Sequence, residues 1–453
     1  MSQSSRSKSV LSRPMSWFAN AIYGVAGLAY TPILSYQMLA QRKNRTGWGE
    51  KLCGPRSSLV KSSDRRRVWV HAVSLGEINA ARLFVEKLEA ADSSAEVVIS
   101  TTTDTGFARG CQLFGADRVF RYPLDFSWAV RNAIRTIRPS AIVLVELEVW
   151  YNLTTIASSQ GIPVCVINGR LTERSCNRLA MLGPLSKRMF QSLSWVGAQD
   201  DAIANRFKLL GVPGDKIDVT GSVKWDTAEV ADRIDGDLEL AGAMGIDVNA
   251  PLWVCGSTGP GEEAMILDAY SEIKEKVADL QLALIPRKPE RFDEVAALIG
   301  KRGFGCVRRS DCKADGPSSV PHPGRAGHLQ PVVFLGDTMG ELRKFYSLAD
   351  IVFVGRSMVP MGGSDPMEVA ALGKPIITGS DMANFRDATT QLLDAGSLVQ
   401  VDSPATLAQQ VVTIVSDAAR RQKMGQSAKE TVQKNRGATD ASVRKVLEFA
   451  GTK

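Results

Sequence analysis

The chain has few of the residues that build metal sites and disulfide frameworks. Its 453 residues include three histidines, at 71, 322 and 328, and seven cysteines that form no C-x-x-C pair. Neither set has the spacing of a zinc site, and scattered thiols are typical of a reducing compartment. The hydrophobic content of 44% is that of an ordinary folded protein. We therefore expect a folded chain without a structural metal or disulfides.

Charge is also missing from one long stretch near the N-terminus. No Lys, Arg, Asp or Glu lies between Arg13 and Arg42, although residues 1–67 hold twelve basic residues against two acidic ones. The rest of the chain carries 43 basic and 46 acidic residues, so the net charge of +7 comes from the N-terminal segment alone. A basic surface for nucleic acid is not expected, and nucleic acid is not a predicted partner.

The uncharged stretch predicts a membrane anchor over residues 1–45. A membrane-spanning helix needs about 20 mostly apolar residues, and tryptophan and tyrosine favour the bilayer interface. The anchor either spans the bilayer or lies on it; a helix packed on the soluble body is the alternative. Its basic flanks would face anionic lipid, a predicted partner, on the cytoplasmic side of the membrane: these are Arg42, Lys43, Arg45 and Arg65 to Arg67.

From residue 67 onward, short apolar runs alternate with helical patterns, which indicates parallel sheets built from βαβ units. A chain of this length exceeds one core. We therefore expect an α/β protein with two Rossmann-like domains facing a cleft, over 46–225 and 249–453. The acidic segment 226–248 is the predicted linker, with "DGD" (235–237) as a solvated turn and the final helix able to pack back across it. The predicted strands are "VWVHAV", "EVVIS", "AIVLVELEV", "PVCVIN", "SWVGAQ", "LWVCGST", "LQLALIP", "VVFLGD", "DIVFVG" and "PIITG".

Three carboxylates of the first domain lie in a predicted strand or directly after one, and ligands in open α/β sheets bind beyond the carboxyl ends of the strands. Glu77 lies in "SLGE", between a strand and a helix, and Ser74 with Glu77 also matches a helix-capping box. Glu146 and Glu148 in "VELEVW" are two positions apart and would share one face of an apolar strand. Carboxylates there are costly unless they are paired or functional, and burial against an arginine is the alternative.

In the second domain, four loops after strands combine glycine, arginine and helix starts. "GSTGPGEE" (256–263) resembles an anion cradle without the Lys-Ser/Thr pair of a P-loop. "IPRKPER" places Arg287 and Lys288 after a strand, and "GDTMGEL" exposes the N–H groups of Met339 and Gly340. In "GGSDPME", Glu368 could cap a helix or accept hydrogen bonds from a ribose. A phosphate-bearing nucleotide is the ligand these loops predict.

Nine motifs, in this order and over nearly the whole chain, resemble those of the Kdo (3-deoxy-D-manno-octulosonic acid) transferases of lipopolysaccharide assembly. They are "HAVSLGE", "TTTDTG", "VELEVW", "NGRLTERS", "TGSVKWD", "STGPGEE", "PRKPERF", "GDTMGEL" and "GGSDPMEVAALGKPII". The resemblance implies a GT-B glycosyltransferase of two Rossmann-like domains, an acceptor domain followed by a donor domain. It implies CMP-Kdo as donor substrate, a lipid A precursor (lipid IVA) as acceptor, and an inverting reaction without metal or other cofactor.

The resemblance also implies residue roles. Glu77 would be the general base, with Glu146 and Lys224 stabilising the transition state. The residues implied to contact CMP are Pro286, Arg287, Met339, Gly340, Glu341, Asp365, Pro366, Met367 and Glu368.

This chain departs from the family pattern at four positions. Ser364 and Asp365 stand where the family has histidine and asparagine, while Gly259 and Lys288 stand at two further histidine positions. Two alternatives therefore stay open: a GT-B enzyme with a different nucleotide sugar, and a non-catalytic membrane-bound relative.

Overall fold

The chain folds into two compact units, which are described separately. The computed structural model describes residues 4–39, 46–56, 59, 65–312 and 331–451. The N-terminal unit comprises Met1–Thr227 with Arg436–Lys453, and the C-terminal unit comprises Ala228–Asn435. The predicted lipid-facing residues Arg42, Lys43 and Arg45 lie outside the described residues.

The N-terminal unit is built on a seven-stranded parallel sheet of order β3-β2-β1-β4-β5-β6-β7. Its strands are β1 (Arg66–His71), β2 (Ala95–Thr101), β3 (Val119–Arg121), β4 (Ala141–Val145), β5 (Val164–Gly169), β6 (Trp195–Ala198) and β7 (Ile217–Val219). Its helices are α1 (Ser4–Leu39), α2 (Trp48–Cys53), α3 (Leu75–Ala91), α4 (Asp104–Phe114), α5 (Ser127–Ile137), α6 (Tyr151–Ser159), α7 (Glu173–Ala180), α8 (Pro184–Gln191) and α9 (Asp201–Leu209).

The C-terminal unit repeats this plan with a parallel sheet of order β10-β11-β9-β8-β12-β13-β14. Its strands are β8 (Leu252–Thr258), β9 (Gln281–Pro286), β10 (Gly305–Arg308), β11 (Val332–Leu335), β12 (Ile351–Val354), β13 (Ile376–Gly379) and β14 (Leu398–Val401). The helices that follow β7 along the chain are α10 (Asp237–Met244), α11 (Glu262–Lys274), α12 (Phe292–Lys301), α13 (Leu342–Leu348), α14 (Met367–Ala371), α15 (Arg386–Asp394), α16 (Pro404–Val415), α17 (Ala418–Asn435) and α18 (Ala438–Gly451).

The central strands explain why the apolar runs in the sequence were continuous. All seven residues of β8 are buried, and so are all five of β4. Strands covered by helices on both faces lack the alternation of a half-exposed sheet. Trp69 in β1 and Trp253 in β8 are fully buried and lie in separate cores of the two units.

The ten predicted strands are all present, but the outermost strand at each edge of both sheets was missed. These four are β3, β7, β10 and β14, of three or four residues each. The predicted strand over 141–149 is also too long, because β4 ends at Val145.

From Ala228 onward, the predicted linker is part of the folded C-terminal unit. It contains α10, and Asp237 at the start of that helix is buried and accepts hydrogen bonds from Arg233 and from Ser347 Oγ, the latter at 2.5 Å. The prediction that "DGD" is a solvated turn is therefore wrong for Asp237, because this carboxylate satisfies buried donors. The division falls after Thr227 rather than across 226–248.

The last helix returns to the N-terminal unit, so residues 249–453 do not form one unit. Val443 and Val446 of α18 lie in the core beside α3, and Lys87 bonds Asp440 at 2.6 Å. The turn before α18 is fixed by the buried Asp226, whose carboxylate accepts from the N–H groups of Gly437 and Thr439 at 2.6 Å. The prediction that the final helix packs back is confirmed.

One face of α1 packs on the N-terminal unit. Asn20 donates to Ser127 Oγ at 2.9 Å, and its Oδ1 accepts from the Ser127 N–H at 3.0 Å. Tyr23 contacts the rings of Phe126 and Trp150 edge-on. The opposite face leaves large apolar side chains exposed: Trp17, Phe18, Ile22, Val25, Leu28, Ile33, Tyr36 and Leu39.

In the described part of the chain, no helix combines the length and the apolar character needed to cross a bilayer. The anchor stays a prediction. The arginine cluster at 65 to 67 differs from what we expected. Arg67 is buried in β1 and forms paired hydrogen bonds with Glu96, at 3.0 and 2.8 Å. Arg66 pairs with Asp92 at 2.6 Å, so these two side chains do not present free charge to lipid.

Candidate functional site

Two of the three catalytic residues predicted in the N-terminal unit, Glu77 and Glu146, lie where the strand order of its sheet reverses. The chain proceeds from β1 outward to β3 and then returns to β4 on the other side of β1. The loops after β1 and β4 diverge at such a switch point and leave a crevice at the carboxyl ends of the strands. Glu77 follows β1, and Glu146 and Glu148 follow β4.

Glu77 is held in one orientation at the first turn of α3. Its carboxylate accepts from the Val73 N–H and from Ser74 Oγ, both at 2.8 Å, while Ser74 Oγ accepts from the Glu77 N–H at 3.3 Å. The capping interaction with Ser74 is therefore present, and it leaves Glu77 half-buried at the crevice. Burial raises the pKa of Glu77, the hydrogen bonds from Val73 and Ser74 lower it, and the charge of Glu146 raises it further.

Glu146 and Glu148 are not inside a strand, which corrects the sequence-based expectation. The chain leaves β4 at Val145, and Glu146 takes a left-handed conformation with φ of 63°. This conformation is uncommon for a residue other than glycine, and such positions cluster at functional sites. The Glu146 N–H still donates to Ile167 O at 3.0 Å, which ties the turn to β5.

Glu148 faces a buried histidine that sequence analysis considered only as a metal ligand. His71, the last residue of β1, stacks on Tyr122 with ring centroids 3.8 Å apart, and its Nδ1 lies 2.9 Å from Ser100 Oγ. Its Nε2 is buried, has no hydrogen-bond partner among the described residues, and lies 4.0 Å from Glu148 Oε2. Burial lowers the pKa of His71 to about 3, so the ring is neutral near pH 7.

Glu148 shares its electrostatic environment with the other two carboxylates. Burial raises the pKa of Glu148 to about 7, with smaller contributions from the charges of Glu77 and Glu146, while the hydrogen bond from Trp150 Nε1 at 3.1 Å lowers it. Near neutral pH both the protonated and the ionised form of Glu148 are therefore populated.

Lys224 belongs to the same edge of the sheet. It is exposed in the loop after β7, and the neighbouring Val223 N–H donates to Asn168 Oδ1 at 3.3 Å. Because Asn168 lies at the carboxyl end of β5, this bond draws the loop back toward the centre of the sheet. The roles of Glu77, Glu146 and Lys224 in catalysis stay predictions.

The predicted nucleotide loops meet at the corresponding switch point of the C-terminal unit, between β8 and β12. The glycine-rich turn after β8 is an anion cradle, as its sequence indicated, but its anion is a side chain of the turn itself. Glu262 is fully buried, and its Oε2 accepts from the N–H groups of Gly259 and Arg356 at 2.7 and 2.5 Å. Its Oε1 accepts from the N–H groups of Ser357 and Met358 at 2.8 and 2.9 Å.

A second buried carboxylate fixes the neighbouring loop. Glu263 forms paired hydrogen bonds with Arg291 at 2.7 and 3.0 Å and accepts from Thr258 Oγ1 at 2.7 Å. A buried ion pair with all its hydrogen bonds made orients the groups around it more than it stabilises the fold. It holds the loop that follows Pro286, the last residue of β9. In this loop the side chain of Arg287 is exposed, and the backbone N–H of Arg287 donates to Thr258 O at 3.1 Å.

The loop before α13 leaves donors and an apolar side chain available. The N–H groups of Met339 and Gly340 donate to no described residue, a hypothetical Cβ on Gly340 would meet open space, and Met339 is 69% exposed. Glu341 is different, because its carboxylate is occupied by Arg309, at 3.0 Å twice, and by Thr338 Oγ1. Only its backbone remains for a ligand.

In "GGSDPME", Asp365 takes the structural role at the start of the helix, and the Glu368 carboxylate remains available to a ligand. Asp365 Oδ1 accepts from the Met367 N–H at 2.8 Å and so shapes the turn that opens the short helix α14. Glu368 accepts no hydrogen bond from any described residue. Burial raises its pKa, although the charges of Arg343 and Arg287 lower it. Pro366 directly precedes α14 and Met367 is buried, so a ligand would meet their backbone and the Glu368 carboxylate.

Sequence reasoning missed Glu262 as the occupant of the cradle, His71 as a neighbour of Glu148, and Arg356 in the loop after β12. A visible signal existed only for Glu262, an acidic residue directly after a glycine turn. Over the described ranges, no three His, Cys, Asp or Glu side chains cluster as metal ligands would.

Comparison with known proteins agrees with this architecture. Residues 42–227 match the family described as 3-deoxy-D-manno-octulosonic-acid transferase (kdotransferase), and residues 326–431 match glycosyl transferases group 1. A 3-deoxy-D-manno-octulosonic acid transferase of Haemophilus influenzae is 33% identical over 377 residues, which cover 82% of this chain and 84% of the relative. One of Bordetella pertussis is 33% identical over 393 residues, covering 85% and 87%.

Solved structures share the fold at low sequence identity. A UDP-GlcNAc 2-epimerase from Neisseria meningitidis has a TM-score of 0.54 and 14% identity, covering 84% of this chain and 100% of that one. A glycosyltransferase from Rickettsia africae has a TM-score of 0.52 and 12% identity, covering 86% and 100%. The predicted α/β class of GT-B type, with two Rossmann-like domains, is confirmed.

The raised pKa of Glu148 predicts how stability changes with pH. The unfolded chain releases this proton near pH 4.5, whereas the folded chain keeps it until about pH 7. The proton therefore stabilises the fold fully below pH 4.5, and this contribution is lost as pH rises through 7. The free energy of unfolding of Glu148→Gln, relative to that of the parent, should therefore rise by about 2 kcal/mol from pH 5 to pH 8. Denaturant titrations of both proteins at both pH values measure this change, and Glu173→Gln, at an exposed position, is the control. Parallel curves for parent and Glu148→Gln would show that Glu148 titrates normally.

Proposed function

The chain belongs to the 3-deoxy-D-manno-octulosonic acid (Kdo) transferase family, and from that premise we propose that it transfers Kdo from CMP-Kdo to a lipid A precursor, lipid IVA, in lipopolysaccharide core assembly. The observation that carries the proposal is the geometry of Glu77. This carboxylate is fixed by two hydrogen bonds at the carboxyl end of β1 and has a raised pKa. A base with a pKa nearer the working pH is a better proton acceptor.

The proposed reaction is a single displacement with inversion at the anomeric carbon of Kdo. Glu77 takes the proton of an acceptor hydroxyl, whose oxygen forms the new bond to that carbon. The bond from the same carbon to the CMP phosphate oxygen breaks, and its electron pair leaves with CMP. Glu146 and Lys224, on the same sheet edge as Glu77, would stabilise charge in the transition state.

The donor is assigned to the C-terminal unit because its free groups suit a nucleotide. The N–H groups of Met339 and Gly340 and the guanidinium of Arg287 match a phosphate, which binds well to backbone N–H groups and arginine. Glu368 has acceptor capacity for ribose hydroxyls. We propose that these cationic and N–H groups, rather than a metal ion, stabilise the charge that gathers on CMP.

We also propose that α1 attaches the protein to the cytoplasmic face of the inner membrane. Its exposed residues, including Trp17, Val25, Leu28 and Tyr36, fall on one face at 3.6 residues per turn, opposite the face that packs on the body. An apolar face of this kind can lie in the boundary between headgroups and acyl chains. Anionic lipid is the proposed partner, and nucleic acid is not.

Replacing the proposed base tests the reaction. Glu77→Gln keeps the size and much of the capping interaction but cannot take a proton, so transfer from CMP-Kdo to a tetraacylated lipid A precursor should fall by about 10² to 10⁴. CMP affinity and melting temperature should change little. Parallel reactions with UDP-sugars test the alternative donor. If Glu77→Gln turns over like the parent, Glu77 only caps α3.

Substitutions at Asp365 and Glu368 distinguish a role in nucleotide binding from a role in forming the turn before α14. Glu368→Ala removes the free acceptor and should weaken CMP binding by more than tenfold, or about 1.4 kcal/mol. Asp365→Asn keeps an oxygen for the Met367 N–H and should change affinity by less than that. Calorimetric titration of CMP into each variant measures both. Equal affinities for Glu368→Ala and the parent would contradict the assignment of this loop to the nucleotide.

The apolar face of α1 is tested against matched surface positions. Trp17 and Leu28 are 76% and 75% exposed, while Met181 and Leu209 elsewhere in the N-terminal unit are both 79% exposed. Replacing Trp17 and Leu28 with serine should weaken binding to anionic vesicles in high salt, where surface charges are screened. The double serine variant at Met181 and Leu209 should bind like the parent. If the parent and both double variants cosediment equally with vesicles, α1 is not the segment that attaches the protein to the membrane.

A further inference from the structure

Arg356 is a partly buried cation without an ion-pair partner among the described residues, and it lies where the donor is proposed to bind. It follows β12 after a single glycine, at the switch point beside β8. Its Nη2 donates to Met361 O at 3.3 Å, but its Nε is fully buried and donates to nothing in the described structure. Buried polar groups are nearly always hydrogen-bonded, so an orphaned donor of this kind needs an explanation.

The other arginines of this region show how unusual that is. Four of them at the same end of the sheet have carboxylate partners: Arg291 with Glu263, Arg308 with Asp337, Arg309 with Glu341 and Arg343 with Glu229. Arg287 is exposed, so water can solvate its charge. Within the described ranges, Arg356 combines partial burial with the absence of an ion pair. The nearby Glu262 does not serve as its partner, because that carboxylate binds four backbone N–H groups.

The backbone at Arg356 is also held in a conformation that arginine rarely adopts. Its φ is 60°, in the left-handed region. The strain is fixed from both sides, since the Arg356 N–H donates to Glu262 at 2.5 Å and the Arg356 carbonyl accepts from the Gly363 N–H at 2.8 Å. Glycine would fit this position without strain. A large side chain kept at such a position is a reason to look for a role.

Space for this side chain comes from a glycine in the facing loop. A Cβ added to Gly259 would lie 3.2 Å from Arg356 Cγ and 2.9 Å from Met361 Sδ. Any side chain at 259 would therefore compete with the stem of Arg356. The absence of a side chain after β8 and the presence of a cation after β12 are complementary features of one site.

We propose that Arg356 binds an oxyanion of the nucleotide-sugar donor, either its phosphate or the carboxylate of the sugar. The guanidinium offers several N–H groups in a planar fork, which suits both oxyanions. A ligand cannot reach the fully buried Nε, but a bound oxyanion would pair with the terminal N–H groups of the guanidinium and supply the negative partner that the described residues do not. The assignment rests on the proposed function, because that function places the donor at this edge.

The test uses the full-length protein with three substitutions at Arg356 and one control. Arg356→Gly fits the left-handed backbone and should melt no lower than the parent, so any loss of binding is not a loss of folding. Arg356→Gln removes only the charge, and Arg356→Lys restores it. Arg302→Gln is the control. Arg302 follows α12 and precedes β10, so it lies at the amino ends of the strands, away from the proposed donor site, and it pairs with Asp268.

Three ligands separate the two oxyanions. If Arg356 holds the phosphate, the Gly and Gln variants should lose at least tenfold in calorimetric affinity for CMP while keeping weak cytidine binding unchanged. If it holds the sugar carboxylate, CMP affinity should stay constant and the KM for CMP-Kdo should rise at least tenfold. In both cases Arg356→Lys should recover part of the loss.

Two outcomes would overturn the proposal. One is parental CMP affinity together with parental KM for CMP-Kdo in both the Gly and Gln variants. The other is an equal loss in Arg302→Gln, which would show a general effect of charge. A parent protein that neither binds CMP nor transfers Kdo would instead contradict the proposed function, so the two failures are distinguishable.

Discussion

The candidate donor site depends on one buried carboxylate. Glu262 joins the start of α11 to the loops after β8 and β12, by accepting hydrogen bonds from four backbone N–H groups. A charge that is fully buried must be satisfied in this way, and its loss would leave those four donors unpaired. The conformation of the segment after β12, which carries Arg356, Asp365 and Glu368, therefore depends on Glu262. Under the proposed function, the nucleotide would bind beside this cradle rather than in it.

The N-terminal unit uses carboxylates in a different way. The charge of Glu146 raises the pKa of Glu77, and the charges of Glu77 and Glu146 raise the pKa of Glu148, because these residues follow adjacent strands of the same sheet. The fold keeps them together with hydrogen bonds from Val73, Ser74 and Trp150, and with a left-handed turn at Glu146. Such an arrangement favours a residue that accepts a proton near neutral pH.

The sequence predicted the central parts of the fold and failed at their margins for physical reasons. Strands such as β8, covered on both faces, leave long apolar runs, whereas β3, β7, β10 and β14 are short and each has only one neighbouring strand. The return of α18 was foreseen, but the linker was misjudged because Asp226 and Asp237 look like solvated acids. Both are buried acceptors whose donors, Thr439 and Ser347, are far away in sequence.

The same limit applies to the candidate site. Position after a strand was sufficient to select Glu77 and Arg287, since chain order alone puts them at a carboxyl edge. The conformation of Arg356, the occupancy of the cradle by Glu262 and the orphaned Nε2 of His71 depend on contacts between loops that are far apart in sequence. No local sequence pattern indicates these three features.

Hydrogen exchange of the full-length protein with and without CMP tests the placement of the donor most directly. The N–H groups of Met339 and Gly340 bond no acceptor in the described part of the chain, whereas those of Ser357 and Met358 already bond Glu262. CMP should slow exchange at 339 and 340 and change little at 357 and 358. Unchanged exchange at 339 and 340 under saturating CMP, with slowing confined to loops of the N-terminal unit, would contradict the account.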